Sequence, residues 1–516
     1  MTLLDKNKIL LFSFVFLLGF ISSFSLPPYN LFFINFISLP LLFFTIIYVK
    51  KKSKSVYRKK PFLKNLFILG TSFGFGFFFC GIYWITHSLT FDENFKILIP
   101  ISLIIIPLFL SLFFSIPIMI AGNYLQNDIS SIFLISFLFA ISDFLRNNIL
   151  SGFPWNLWSY SFSWSIESLQ ILSTIGFFTF NLLIITFFFI PSVIFFQNKI
   201  KYFFVAGSII LIFSNYFYGS YLINSKKLNV EQKKINFKII SAGMNLSDFQ
   251  DELETASKLI KYSEPDKKKK TIFVWPEGVF LNPNYEQRDD IKKLFKKNFS
   301  KNHIIIFGAN SIKKIDKDNK YFNSMIFADN NLNFISQYNK KKLVPFGEFL
   351  PFEKFLNLIG LKKITLGHSS FSEGTGKSSI DLKFDSLDIN ILPLICYEII
   401  FPNLVDTNNK FNLIINISED AWFGKSIGPY QHSAKAVFRA IESRVYIIRA
   451  ANMGVSAFIT SEGKILKNLQ PNEIGNIELN LPLLEKNKQQ YKKDLIFLLL
   501  LITYIFTFFI LRKFKI

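Results

Sequence analysis

Apolar residues are not spread evenly along this chain. They gather in long runs over about the first 220 residues and in one further run near the C-terminal end, with only short runs between. A helix that crosses a bilayer needs about 20 apolar residues. Eight stretches approach or exceed that length: residues 9–26, 31–49, 65–89, 97–121, 130–145, 169–196, 202–222 and 495–511. The fifth is short and carries Asp143 and Arg146, which are placed to pair at its end. In the third, Gly70 and Gly74 permit close helix approach.

From Asn224 to Lys493 the pattern changes. Short β-rich apolar runs occur at 237–242, 271–275, 304–309, 324–328, 389–396, 413–417, 446–450 and 456–460. Helix-like stretches occur at 247–261, 288–298 and 430–444. Alternation of this kind predicts α/β layering. The runs Ile304-Ile305-Ile306-Phe307 and Leu413-Ile414-Ile415 are apolar on both faces, as in a covered sheet. There is no internal repeat of fixed period. The expected architecture is a multi-pass α-helical membrane bundle plus an α/β extracytoplasmic domain. Residues 1–222 form a seven-helix bundle, 223–493 the α/β domain and 494–516 a last transmembrane helix.

Charge orients the bundle. Lys6 and Lys8 precede the first run, and eight Lys and Arg residues from Lys50 to Lys64 fill the loop after the second. Lys199 and Lys201 separate the sixth and seventh runs, and Arg512, Lys513 and Lys515 follow the eighth. With eight spans, all four clusters fall on one side. The opposite loop at 91–96 carries Asp92 and Glu93 before its Lys96. Positive residues stay inside, so both termini are expected in the cytoplasm and the polar domain outside it. The net charge of +22 is then topology signal plus a Lys-rich solvated surface. No basic and aromatic interleaving suggests nucleic acid.

Half of the residues are hydrophobic and 66 are Phe. Codon bias explains much of the richness in Phe, Ile, Lys and Asn, but not where the apolar residues fall. Cys80 lies in an apolar run and Cys396 far away in the polar half, which excludes a disulfide framework. The first run ends in Leu26-Pro27-Pro28 without a small-residue cleavage site, and is expected to be a retained span rather than a signal peptide.

Three places set a polar group at the end of a strand-like run, where α/β sheets build their sites. Glu277 follows Val274-Trp275-Pro276. Lys340, Lys341, Lys342 and Glu348 follow Tyr338. Cys396 ends Leu392-Pro393-Leu394-Ile395 and precedes Tyr397 and Glu398. Taken singly, each has a bland reading: a surface acid, a solvated lysine run, a buried inert thiol. Together they form a coherent set. A Cys forms thioesters, a Glu takes its proton as general base, and a Lys ammonium holds an oxyanion. Cys396 sits where a strand gives way to a helix, and helix N-terminal amides are expected to favour its thiolate. The four His, at 87, 303, 368 and 432, lack metal-ligand spacing, and no Gly-rich phosphate loop or Gly-x-Ser-x-Gly elbow occurs. No metal and no cofactor is expected.

These residues resemble a family. Trp275-Pro276-Glu277, Tyr338 to Glu348 and Ile395-Cys396-Tyr397-Glu398 look like the three active-site motifs of the nitrilase superfamily, and in detail those of the bacterial apolipoprotein N-acyltransferases. Asn416-Ile417-Ser418, Asp420-Ala421-Trp422-Phe423-Gly424, Arg439-Ala440 to Glu442 and Arg449-Ala450-Ala451-Asn452 with Gly454 are similar to it too. So are Ser25-Leu26-Pro27-Pro28-Tyr29 and Gly152-Phe153-Pro154-Trp155 in the membrane half. The resemblance implies a nitrilase-like αββα sandwich, periplasmic, on a bundle in the bacterial inner membrane. It implies transfer of an acyl chain from a phospholipid to the α-amine of an S-diacylglyceryl-cysteine on an apolipoprotein. By motif position Cys396 is the nucleophile, Glu277 the base and Lys340 the oxyanion residue. Glu348 holds Lys340 or assists the base. Tyr397 and Glu398 shape the site, and Trp422 and Phe423 contact acyl chains.

The sequence departs from the family at Ser241-Ala242-Gly243-Met244-Asn245, where no Trp follows, and Glu419 has no assigned role. The apolar stretch 350–361 is read either as an amphipathic helix on the core or as an arm dipping toward the outer leaflet. A membrane-tethered amidase that hydrolyses the thioester would need the same three residues, but not the eight spans. An inactive binding or transport protein is disfavoured by the intact set and by the absence of inverted repeats.

Overall fold

A computed structural model describes residues 8–54, 60–225, 234–246, 251–315, 318–351, 370–376, 378–405, 410–484 and 493–514. The chain divides into two compact units, Met1–Lys226 with Tyr491–Ile516, and Lys227–Gln490.

The first unit is helical because a bilayer offers no water to backbone polar groups, and a helix satisfies them internally. Among the described residues, eight helices are long and apolar enough to cross a membrane: Lys8–Ser25, Phe32–Lys52, Phe62–Gly81, Glu93–Gly122, Ile129–Asn148, Phe177–Phe195, Lys201–Ser225 and Lys493–Lys513. Two differ from the expected spans. The third α-helix stops at Gly81, and Tyr83–Phe91 continues as a 3-10 turn. The sixth starts late because Gly176, at φ 78°, breaks the run expected from residue 169. A Cβ at Gly70 or Gly74 would strike the backbone of Ser115 or Ser111, so the third and fourth helices do pack at these glycines. Asp143 and Arg146 are buried and paired at 2.9 Å. Asn181 donates to the other Asp143 oxygen at 2.8 Å, and Arg146 also reaches the carbonyls of Phe153 and Asn156. A charge pair in the bundle thereby fastens the loop that contains Pro154 and Trp155.

The second unit holds twelve described strands: β1 Lys234–Ser241, β2 Thr271–Val274, β3 His303–Ile315, β4 Asp318–Ala328, β5 Phe334–Asn339, β6 Ile380–Phe384, β7 Leu387–Ile395, β8 Leu413–Glu419, β9 Tyr446–Asn452, β10 Ser456–Ile459, β11 Ile465–Leu469 and β12 Gly475–Pro482. They form two six-stranded sheets, ordered β12-β1-β2-β3-β4-β5 and β11-β10-β9-β8-β7-β6. In each, three central strands run parallel, β1-β2-β3 and β7-β8-β9, and the outer pairs are antiparallel.

Side-chain alternation builds the layers. Ile272 and Val274 of β2 face the space between the sheets and meet Ile391, Ile415 and Ile448 of the second sheet. Phe273 and Trp275 point the other way, onto Leu259, Ile291 and Phe295 of the helices Glu252–Ser263 and Asp289–Asn298. The first of these helices begins at Asp251, whose carboxylate caps the amides of Leu253 and Glu254. Helix Gly428–Ser443 packs on the outer side of the second sheet, along β9 and β10. The result is the expected αββα sandwich. The stretch 352–369, which contains most of the apolar segment after Glu348 and His368, lies outside the described residues, as do residues 247–250.

Candidate active site

Glu277 lies three residues past β2, in a loop laced to β3. Trp275 N donates to Ile306 O, Gly308 N to Pro276 O and Val279 N to Gly308 O. A Cβ at Gly308 would come within 2.5 Å of Glu277 Cα, so only glycine lets the loop lie this close. The Glu277 side chain is buried. Its Oε2 accepts the Glu419 amide at 2.9 Å, and its Oε1 faces the middle of β4 and the end of β5.

Lys340 is the first residue after β5, and its amide is fixed to Asn323 O at 2.9 Å. Its side chain is 1% exposed. Nζ lies 3.3 Å from Glu277 Oε1 and 2.9 Å from Glu348 Oε1. Burial works against the ammonium, but Glu277 and then Glu348 outweigh it and push the Lys340 pKa up. Lys340 therefore stays charged. Glu348 is held in turn by the Val344 amide at 2.8 Å. Asn323 of β4, which the motif reading did not single out, completes the cluster. Its Nδ2 donates to Glu277 Oε1 at 2.7 Å and to Glu348 Oε1 at 2.6 Å. One amide and one ammonium thus lie between two carboxylates.

Cys396 follows β7 at φ 47°, a left-handed conformation, and starts the 3-10 turn Cys396–Ile400. Glu398 is fully buried behind this turn. Its carboxylate accepts from Ile395 N (2.7 Å), Lys341 N (2.7 Å), Lys342 N (3.2 Å) and Tyr338 Oη (2.8 Å). It ties the Cys turn to the segment that carries Lys340. Burial and the Glu277 charge push the Cys396 thiol well up, while Lys340 pulls it the other way. This corrects the expected thiolate. A single buried 3-10 turn offers too little helix dipole to outweigh desolvation and a neighbouring carboxylate. The resting group is a thiol.

Behind the thiol lies a second buried network. Asp420 accepts from Arg449 Nη2 (2.7 Å) and Ser418 Oγ (2.6 Å), and its Oδ1 lies 2.9 Å from His432 Nδ1. Burial opposes the Asp420 charge, but Arg449 above all holds its carboxyl down at about 2. Burial pulls His432 down to about 4. Glu419 caps the Ala421 amide and accepts from Asn452 Nδ2, which also binds Met244 O. Glu419 and Asn452 therefore join the divergent 241–245 segment to the Glu277 loop. Tyr397 is buried and set edge-on to Phe401 at 5.1 Å. Trp422 and Phe423 are half-buried on the turn Asp420–Phe423, with the Phe423 ring 5.4 Å from that of His432. Among the described residues, no group of His, Cys, Asp and Glu is arranged to hold a metal.

The structure thus brings Glu277, Lys340 and Glu348 into direct contact, with Cys396 close enough to feel the first two charges. Glu398 stands apart, as a strut.

Two family models match the chain: the apolipoprotein N-acyltransferase N-terminal domain over residues 18–190 and carbon-nitrogen hydrolase over residues 240–486. The apolipoprotein N-acyltransferase of Rickettsia prowazekii is 31% identical over 476 residues, covering 90% of this chain and 91% of that one. That of Rickettsia typhi is 31% identical over 92% of both chains, and that of Brucella suis 29% identical over 90% and 89%. Among solved structures, an amidase from Nesterenkonia sp. is 15% identical with a TM-score of 0.32, covering 50% of this chain and 94% of that one. A Saccharomyces cerevisiae member of the nitrilase superfamily is 18% identical with a TM-score of 0.34, covering 50% and 93%. With 31% identity along nine-tenths of both chains, and both domains matched in the same order, the chain belongs to the apolipoprotein N-acyltransferase family.

Proposed function

We propose that this chain takes an acyl chain from a membrane phospholipid, holds it as a thioester on Cys396, and passes it to the α-amine of an S-diacylglyceryl-cysteine at the N-terminus of an apolipoprotein. Family membership supports the reaction. One observation carries the assignment of residues: a buried Glu277–Lys340–Glu348 cluster set against a cysteine that rests as a thiol.

Glu277 takes the thiol proton as Sγ attacks the ester carbonyl of the phospholipid. Lys340 stabilises the oxyanion that forms. The intermediate collapses, the C–O bond breaks, and the lysophospholipid leaves as an alcohol with the proton from Glu277. The amine then attacks the thioester. Glu277 accepts its proton, the amide forms, and the thiolate that departs takes that proton back. Glu348 balances Lys340 throughout. The bookkeeping needs no metal, nucleotide or redox partner.

Eight apolar helices suit substrates that both live in a bilayer. By the same positive-charge logic, residues 223–493 face the periplasm and both termini the cytoplasm in this reading. Within the bundle, Lys50 donates to Leu125 O and Arg512 to Asp128, so two basic helix ends meet one short loop.

Incubation of the purified protein with a labelled phospholipid alone tests the proposal. The label should appear on Cys396, be released by neutral hydroxylamine and be absent in Cys396→Ala. A diacylglyceryl peptide should discharge it onto its amine. Discharge by water at the same rate would make the chain a hydrolase, and full activity in Cys396→Ala would remove the nucleophile assignment.

A further inference from the structure

The backbone at Cys396 needs an explanation. A left-handed conformation is strained for a non-glycine residue, and it persists only where neighbours hold it. One neighbour acts on the residue itself. His432 Nε2 lies 3.2 Å from the Cys396 carbonyl oxygen, with both residues buried. His432 belongs to helix Gly428–Ser443, on the outer side of the second sheet.

The other ring nitrogen faces one acceptor and one donor. Nδ1 lies 3.1 Å from Arg449 Nη2 and 2.9 Å from Asp420 Oδ1. Arg449 is itself fixed by Asp420, by Asn416 Oδ1 and by Val455 O. Asn416 Nδ2 in turn donates to Leu394 O in β7. A guanidinium only donates, and a carbonyl or carboxylate oxygen only accepts. The ring is neutral at pH 7, so it carries one proton. With that proton on Nε2, the ring serves the Cys396 carbonyl and takes a hydrogen from Arg449 on Nδ1. This tautomer satisfies two of the three contacts and leaves the Nδ1 lone pair facing Asp420 Oδ1; the opposite tautomer would gain the Asp420 contact alone, turn an N–H toward Arg449 and set a lone pair against the carbonyl oxygen.

We propose that His432, oriented by Arg449, which Asp420 in turn fixes, is a positioning residue for the acyl transfer: its Nε2–H holds the Cys396 carbonyl and with it the turn from which the thiol meets Glu277 and Lys340. The claim rests on the proposed function for what the thiol does, and on the hydrogen bonds alone for how it is held. A trans peptide is planar, with its N–H opposite its C=O, so anchoring this carbonyl also fixes the direction of the Tyr397 N–H.

The test uses the full-length protein with two substitutions. In His432→Gln the amide Nε2 still reaches the carbonyl. In His432→Asn the amide replaces Nδ1 and falls short of it. Single-turnover acylation of Cys396 by labelled phospholipid should fall about 100-fold in His432→Asn, the cost of a small misplacement, with KM for phospholipid within about twofold. His432→Gln should stay within about threefold of wild type. Alkylation of Cys396 by iodoacetamide, read by mass spectrometry, should follow the same order without any acyl chemistry. Equal loss in both variants, or no loss in a folded His432→Asn, overturns the proposal. If His432→Asn does not fold, His432→Gln decides: a loss of more than about tenfold in the folded variant overturns the proposal, and a smaller one upholds it. If wild type is never acylated but the alkylation order holds, the proposed function fails and the positioning role stands.

Discussion

Asn323 offers the sharpest test of the cluster, because a single amide holds both carboxylates. Its Nδ2 donates to Glu277 Oε1 at 2.7 Å and to Glu348 Oε1 at 2.6 Å. Hydrogen bonds to charged groups contribute about 1.5–3 kcal/mol each. Asn323→Ala removes two of them. Glu277 keeps the Glu419 amide and Lys340, and Glu348 keeps the Val344 amide and Lys340, so neither carboxylate is stranded. The loss is of alignment: two like charges then share one ammonium with nothing else between them. We expect about 2–3 kcal/mol of lost transition-state stabilisation, or roughly 30- to 150-fold in rate. Asn323→Asp should be at least as damaging, since it sets a third carboxylate where only a donor fits. The assay is single-turnover transfer from labelled phospholipid to Cys396, with a thermal melt to confirm folding. A folded Asn323→Ala within about twofold of wild type would show that Lys340 alone organises the two acids.

Three further outcomes are expected. Lys340→Ala should lose about 2.7–4 kcal/mol of transition-state stabilisation. Lys341→Ala and Lys342→Ala should be mild in the same turnover assay, because those residues serve Glu398 through their amides while their ammonium groups reach Gly376 O with Ser378 and the Phe401 ring; equal loss at all three would refute this. The His432 pKa is about 4 in the folded chain against 6.5 ordinarily, so as pH falls through 6.5 the unfolded chain gains a proton that the folded chain refuses until about 4. Stability present above pH 6.5 is thereby lost, by about 3 kcal/mol at pH 4. Burial raises Glu398 and Glu419, which act in the opposite sense, so the measurement is the difference in unfolding free energy between wild type and His432→Gln; a difference that stays constant from pH 6.5 to 4 would refute it. An alkaline phosphatase fusion after residue 230 should be active and one after Lys54 inactive, and the reverse would overturn the orientation.

Eight strands of the second unit stand in the sequence as apolar runs, and four do not. The four are β5, β6, β11 and β12, and these are the edge strands of the two sheets. The reason is physical. A central strand in an αββα sandwich is covered on both faces and reads as a continuous apolar run, whereas an edge strand meets solvent and carries polar residues. In β11 four of five residues are exposed, and in β5 Phe334 and Ile335 are exposed too. A criterion built on unbroken hydrophobicity finds the middle of such sheets and misses their borders.

The site divides along a similar line. Glu277 and Cys396 stand out because each follows an apolar run, where a lone polar group at a strand end is conspicuous; Lys340 follows an edge strand and stands out by motif position instead. Asn323 is not at an end. It sits within β4, 46 residues from Glu277 and 25 from Glu348, and nothing local says which acids it will meet. Its signal was weaker: a polar pair, Asn323-Ser324, interrupting Tyr321-Phe322 and Met325-Ile326-Phe327 in a strand that must be buried. A buried amide demands partners, and two carboxylates beside an ammonium are partners for which an uncharged donor is suited. The charge state of Cys396 was harder still. It depends on the balance between burial, Glu277 and Lys340, three influences that only the folded arrangement ranks. Motif position locates a nucleophile; whether it rests as thiol or thiolate, and so whether Glu277 is a bystander or a base, follows from what surrounds it.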